Sequence, residues 1–103
     1  MSMNLAETRI SLEGYRIQVL EKIKATRDPQ RARDLIAEVD VALRATGLRR
    51  AAQRAFWEAL HTDIEVLTEE SATVLGRDLA TDLGDIIAAA ETEIRRYLSL
   101  VST

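Results

Sequence analysis

An apolar stripe with helical spacing runs through the last third of the chain. Steps of three and four residues match the 3.6-residue period of an α-helix, whereas a half-buried strand would alternate. About 28 residues at 1.5 Å each give a helix of roughly 42 Å, longer than a compact domain of this size needs. The pattern therefore predicts a long C-terminal helix that either breaks at Gly84 or extends into an assembly. The stripe consists of Val74, Leu75, Leu79, Leu83, Ile86, Ile87, Ala90, Ile94, Leu98 and Val101.

A second helix is predicted over residues 29–46. Asp28 can serve as its N-cap, Pro29 suits the first helical position, and Gly47 suits the left-handed position after the last turn. A third helix is predicted from about Leu48 to residues 68–71, where Thr and Ser could cap a new start. Because the connection at Gly47 is so short, we expect these two helices to be adjacent and steeply reversed.

The N-terminal segment fits two structures. As a helix, it forms an apolar stripe that includes Leu12, Tyr15 and Val19. As a β-hairpin within residues 8–19, Ile10 would face Ile17 across a Glu-Gly turn. An isolated two-stranded sheet is marginal in water, and Glu-Gly is a poorer turn than Asn-Gly, so the helix is favoured.

Length and composition limit the class of protein. The 103 residues suit a single helical domain over 1–103, and there is no run of about 20 apolar residues that could span a membrane. There is no cysteine, hence no disulfide or thiolate metal site, and the start of the chain does not resemble a signal peptide. A cytoplasmic protein is expected.

The predicted fold is all-α, a three- to four-helix antiparallel bundle with a long C-terminal helix, or alternatively an N-terminal β-hairpin packed on three helices.

One candidate for metal chemistry occurs in the third predicted helix. Glu58 and His61 have the i, i+3 spacing of ferritin-like carboxylate bundles, and Glu38 could supply a further ligand. A site of that kind needs two such pairs, so a symmetric dimer would have to provide the second. A more ordinary interpretation is a half-exposed histidine flanked by solvated acids. No nucleophile motif or phosphate-binding loop is present, so we predict neither an enzyme nor a cofactor.

A basic cluster surrounds the Gly47 turn. Its members are Arg44, Arg49, Arg50, Arg54 and the nearby Trp57. The cluster could bind nucleic acid or another macromolecule, with a cation–π contact between Arg54 and Trp57. Alternatively, Arg44 stabilises the C-terminus of its helix and Arg54 pairs with Glu58. The formal charge of −3 argues against a surface built entirely for nucleic acid.

Small residues recur every four positions beside the C-terminal stripe. Gly76, Ala80, Gly84 and Ala88 would form a flat ridge that lets a second helix backbone approach closely. The chain has few other helices to cover both the ridge and the stripe, so we expect a homodimer that associates through this helix.

The function expected from the sequence is that of a non-enzymatic interaction protein, such as an adaptor, inhibitor or regulatory subunit. The alternatives are a nucleic-acid-linked regulator that uses the basic cluster and an oligomeric metal-binding bundle centred on Glu58 and His61.

Overall fold

Four helices follow one another in the computed structural model. They are α1 (Leu5–Ala25), α2 (Pro29–Ala45), α3 (Arg50–Val74) and α4 (Arg77–Ser102). The structure describes the backbone of residues 5–74 and 77–102 and the side chains of residues 12–70 and 83–102. The prediction of an all-helical bundle with a long C-terminal helix is confirmed, and the N-terminal segment is a helix, so the hairpin alternative is wrong.

The boundaries of α2 match the sequence signals. The Asp28 carboxylate accepts a hydrogen bond from the Gln30 backbone N–H at 3.1 Å, and Pro29 occupies the first turn. After Thr46, Gly47 adopts a φ of +71°, the left-handed conformation that favours glycine. The capping residues thus fix where this helix starts and stops.

One prediction about a helix end is wrong, and one of the two alternatives for the last helix is excluded. The third helix does not stop at residues 68–71, because the Thr68 hydroxyl bonds to the Ile64 carbonyl at 2.9 Å inside the helix and does not cap a new start. The last helix continues through Gly84 without a break. At 26 residues, α4 accounts for most of the longest dimension of the molecule, 44 Å.

The expected adjacency of α2 and α3 is also wrong along most of their length. Among the described residues, both helices pack mainly against α4 and hardly against each other. The α3 and α4 helices are antiparallel, since Arg50 at the start of α3 reaches Leu100 near the end of α4, and His61 lies beside Glu91. The turn at Gly47 connects α2 to α3, but along most of their described length α4 lies between the two helices.

One hydrophobic core joins all four helices. From α1 it includes Val19 and Ile23, from α2 Leu35, Ile36, Val39 and Leu43, from α3 Phe56, Trp57, Leu60 and Ile64, and from α4 Ile86, Ile87, Ala90 and Ile94. The described part of the C-terminal stripe is therefore covered within the chain. The ridge is not covered in the same way, since Gly84 and Ala88 are exposed, and the side chains of Val74, Leu75 and Leu79 of the stripe lie outside the described residues.

The α1 helix is held to its neighbours by Tyr15 and Arg16. The Tyr15 ring lies 6.0 Å from the Phe56 ring, and Arg16 forms a half-buried ion pair with Asp63 on α3 at 2.9 Å. Burial raises the pKa of Tyr15 above the usual 10.0, and the negative charge of Glu38 on α2 raises it further. The neutral phenol is the form that the packed bundle favours.

None of the described helices is both long enough and apolar enough to cross a membrane.

We predict that the Tyr15 environment makes the fold sensitive to alkali. Because the folded-state pKa is raised above 10.0, its contribution to stability is complete below about pH 10 and is lost as the pH rises through the folded value. Urea unfolding between about pH 9 and about pH 11 should show a steeper loss of stability for the wild type than for Tyr15→Phe. Identical slopes for the two proteins would contradict the prediction.

We also predict that replacing glycine by alanine at two positions changes the stability of the fold in opposite directions. Gly84 has negative φ and open space for a Cβ, so Gly84→Ala should stabilise the fold by about 1 kcal/mol through helix propensity. Gly47→Ala should destabilise it by about 1 kcal/mol, because φ is positive there. Urea denaturation followed by circular dichroism, at low protein concentration, measures both changes. Stabilisation by Gly47→Ala would show that the turn does not depend on the left-handed conformation.

Candidate interaction surfaces

The four arginines of the basic cluster differ in how their charges are balanced. Arg44 lies 3.0 Å from Asp40, and Arg54 lies 3.5 Å from Glu58. Asp40 is only 6% exposed, so Arg44 balances a buried carboxylate that would otherwise be costly. Arg44 thus has a structural role, and the expected pairing of Arg54 with Glu58 is present.

The other two arginines mark the start of α3. Arg49 is exposed and forms no ion pair with any side chain that the structure describes. Arg50 donates from Nη2 to the main-chain oxygen of Leu100 at 2.6 Å, and the Leu100 side chain is 51% exposed. The structure thus adds a residue from α4 to the cluster. Sequence analysis missed Leu100 because it lies 50 positions from Arg50.

Trp57 is not part of the exposed surface. The side chain is fully buried, stacks on Tyr97 at a centroid distance of 5.3 Å and contacts Phe56 edge-on at 5.8 Å. Inclusion of Trp57 in a macromolecule-binding surface is therefore wrong, because its ring fills the α3–α4 contact. The cation–π contact found among the described residues is between Arg96 and Tyr97, at 6.0 Å.

The carboxylates nearest to His61 do not include Glu58, the residue that the candidate metal site required. Glu58 is turned toward Arg54, while Nδ1 of His61 lies 3.2 Å from Glu65 and Nε2 lies 3.9 Å from Glu91 on α4. Glu38, the proposed additional ligand, lies 3.7 Å from Arg31. Within the described residues, no group of three histidine, aspartate or glutamate side chains could hold a metal ion. The metal-binding alternative thus gains no support from this geometry.

Two buried polar atoms lie on the same face of α3. Nε1 of Trp57 and Nε2 of His61 are both buried, and neither has a hydrogen-bond partner among the residues that the structure describes. The two residues are one turn apart and both face α4, beside Tyr97 and Glu91.

The small-residue ridge is described in part. Gly76 lies outside the described residues, and Ala80 belongs to α4 with a side chain outside them. Gly84 and Ala88 are exposed, and a Cβ added at Gly84 would meet nothing within 4 Å. This part of the ridge therefore faces away from the core, and within the described chain no side chain covers Gly84.

Burial of Trp57 gives a direct spectroscopic prediction. Trp57 is the single tryptophan of the chain, so the emission reports on this residue alone. Iodide should quench the emission of the folded protein only weakly, and quenching should rise sharply in urea, because unfolding brings the indole into water. At constant ionic strength, strong quenching of the folded protein would place Trp57 at the surface and would restore it to the basic cluster.

No protein-family model matches this chain, no curated protein is significantly similar to it, and no solved structure matches it. The argument for a function therefore depends on the surfaces of the four helices.

Proposed function

We propose that this chain is a non-enzymatic, cytoplasmic interaction protein, of the adaptor, inhibitor or regulatory-subunit type, which binds a macromolecular partner through a helical face. We further propose that two copies associate through the outer face of α4. The observation that carries the proposal is that Gly84 lies inside a regular helix, is exposed, and has open space around it. The same face carries Asp85, Ala88, Thr92 and Arg95, which are also exposed.

No contact within the described part of the chain explains the glycine at this position. A glycine inside a helix costs about 1 kcal/mol relative to alanine. Within α4 it neither provides a turn nor allows another described helix to approach, since nothing lies within 4 Å of its would-be Cβ. A close approach by a helix from another molecule would offset that cost, because small side chains let two backbones come near each other.

Charges on the same face favour a second copy in an antiparallel arrangement. Asp85 is exposed and forms no ion pair with a described side chain. Arg95, which lies 2.7 Å from Glu91 within the chain, is ten residues further along, about 15 Å away at the rise of an α-helix. If the two-fold axis passes midway between them, Asp85 of each copy faces Arg95 of the other, and Ala88 and Thr92 lie near the axis. A two-fold interface of this kind is self-complementary.

A nucleic-acid-linked regulator is the second candidate function. It is favoured by the exposed Arg49, whose charge is not balanced by a described carboxylate. It is disfavoured by the burial of Trp57, which removes a platform for base stacking, and by the net charge of −3. A protein partner therefore fits the described surfaces better.

We predict that Gly84→Leu weakens self-association without destabilising the monomer. A Cβ at this position would meet no described residue within 4 Å, whereas a leucine side chain would separate two closely packed backbones. Light scattering up to about 1 mM protein should show a concentration-dependent dimer for the wild type and a shift toward monomer for the variant. Gly14→Leu is the matched control, since Gly14 is also an open helical glycine but lies on α1.

Two results would count against this proposal. A wild type that remains monomeric over the whole concentration range removes the homodimer. A Gly84→Leu variant that dimerises as well as Gly14→Leu shows that any interface lies elsewhere on the molecule.

A further inference from the structure

Among the described side chains, those of α1 contribute least to the core. Val19 and Ile23 are the two that are fully buried, whereas α2, α3 and α4 each bury five apolar side chains. Leu12, Tyr15 and Leu20 are partly buried against the same core. The described part of α1 therefore gains less free energy from apolar burial than the described parts of the other helices do.

The sequence of α1 also adds little helix stability of its own. Gly14 lies inside the helix, and a Cβ there would meet nothing within 4 Å, so this glycine costs about 1 kcal/mol in helix propensity without allowing a described residue to approach closely. Ile17, Val19 and Ile23 are β-branched, which lowers helix propensity further. Most of the stability of α1 must come from its packing, so we expect α1 to be helical only while it is docked.

Two side chains of α1 form specific contacts with α3. The Tyr15 ring lies 6.0 Å from the Phe56 ring, and Arg16 lies 2.9 Å from Asp63. The Arg16 and Asp63 side chains are 25% and 28% exposed, so water partly screens their attraction and the ion pair contributes modestly. Few specific interactions would therefore have to break for α1 to leave α3.

The remaining three helices do not depend on α1 for their boundaries or their main contacts. Residues 26–28 connect α1 to α2, and the Asp28 carboxylate caps α2 through the Gln30 N–H. Both α2 and α3 pack mainly against α4 in the described part of the chain. The start of α2 and the packing of α2, α3 and α4 would thus be retained without α1.

We propose that α1 is a releasable cover, which unfolds as a unit while α2, α3 and α4 remain packed and so uncovers the apolar surface around Phe56 on α3. Proteins open in cooperative units of this kind, and the units with few buried apolar side chains open most readily. Release of α1 would control when this apolar surface meets water. The proposal goes beyond the proposed function and does not depend on self-association through α4.

Hydrogen exchange of the full chain, followed by mass spectrometry at low protein concentration, tests the proposal. After correction for intrinsic exchange rates, amides of residues 15–25 should exchange at least about tenfold faster than amides of residues 86–98. The rates within residues 15–25 should be alike, because the helix is released as a unit. A gradient of rates from one end of this segment would show fraying and would overturn the proposal.

Two glycine-to-alanine variants distinguish local release from unfolding of the whole bundle. Gly14→Ala adds helix propensity to α1 and should slow exchange in α1 about fivefold. Gly84→Ala adds the same propensity to α4 and should leave exchange in α1 unchanged, because α4 stays folded when α1 is released. If both variants slow exchange in α1 equally, α1 opens only with the whole bundle and the proposal is wrong.

A second pair of variants tests the contact between Arg16 and Asp63. Asp63→Asn removes the negative charge and nearly keeps the shape, so exchange in α1 should rise about two- to fivefold. Glu58→Gln is the matched control, since Glu58 is also on α3 but pairs with Arg54 of the same helix. This control should leave exchange in α1 as it is in the wild type. Equal rates in the two variants would contradict the role of the ion pair in holding the cover.

The emission of Trp57 reports whether the other helices remain packed when α1 is released. The indole stacks on Tyr97 within the α3–α4 contact, away from the contact of Tyr15 with Phe56. In a urea series, the amides of α1 should lose protection at lower urea than that at which iodide begins to quench Trp57. Loss of both at the same urea concentration would show one cooperative unit and would overturn the proposal.

Discussion

The packing of α4 against α2 and α3 is the contact on which the rest of the bundle depends. Ile86, Ile87, Ala90 and Ile94 of α4 belong to the common core, and the Trp57–Tyr97 stack is part of the α3–α4 contact. Because α4 separates α2 from α3, its removal would expose the inner faces of both. Replacing Ile94 by alanine would leave a cavity in a fully buried layer and cost about 2–5 kcal/mol.

Most of the helices could be predicted from the spacing of their apolar residues and from the residues that cap their ends. Asp28, Pro29 and Gly47 are local signals, and local signals suffice to define α2. The N-terminal segment needed tertiary information, because Tyr15 and Val19 are compatible with either structure until the other helices cover them along one helical face. The end of α3 could not be predicted, since Thr68 can cap a new helix or bond to its own helix, and the sequence does not distinguish the two.

The candidate surfaces were less predictable than the fold. Proximity in sequence placed Trp57 with the arginines. Trp57, however, lies on the side of α3 that faces α4, so its indole ring stacks on Tyr97. Leu100 joins Arg50 only through the antiparallel pairing of α3 and α4, and His61 meets Glu91 in the same way. Pairs within one helix, such as Arg54 with Glu58, could be anticipated from the i, i+4 spacing. Contacts between helices required knowledge of which faces meet.

Two exposed features share a property that connects stability to function. Gly84 lowers helix propensity in α4, and Arg49 occupies a capping position that favours a small polar or acidic residue. Neither cost is offset by a contact with a described side chain. The contrast with Arg44 is instructive, because that arginine balances the buried carboxylate of Asp40 and needs no partner outside the chain. Residues that lower stability without an internal benefit are where binding is most reasonably sought, since natural sequences depart from local consistency chiefly at functional sites.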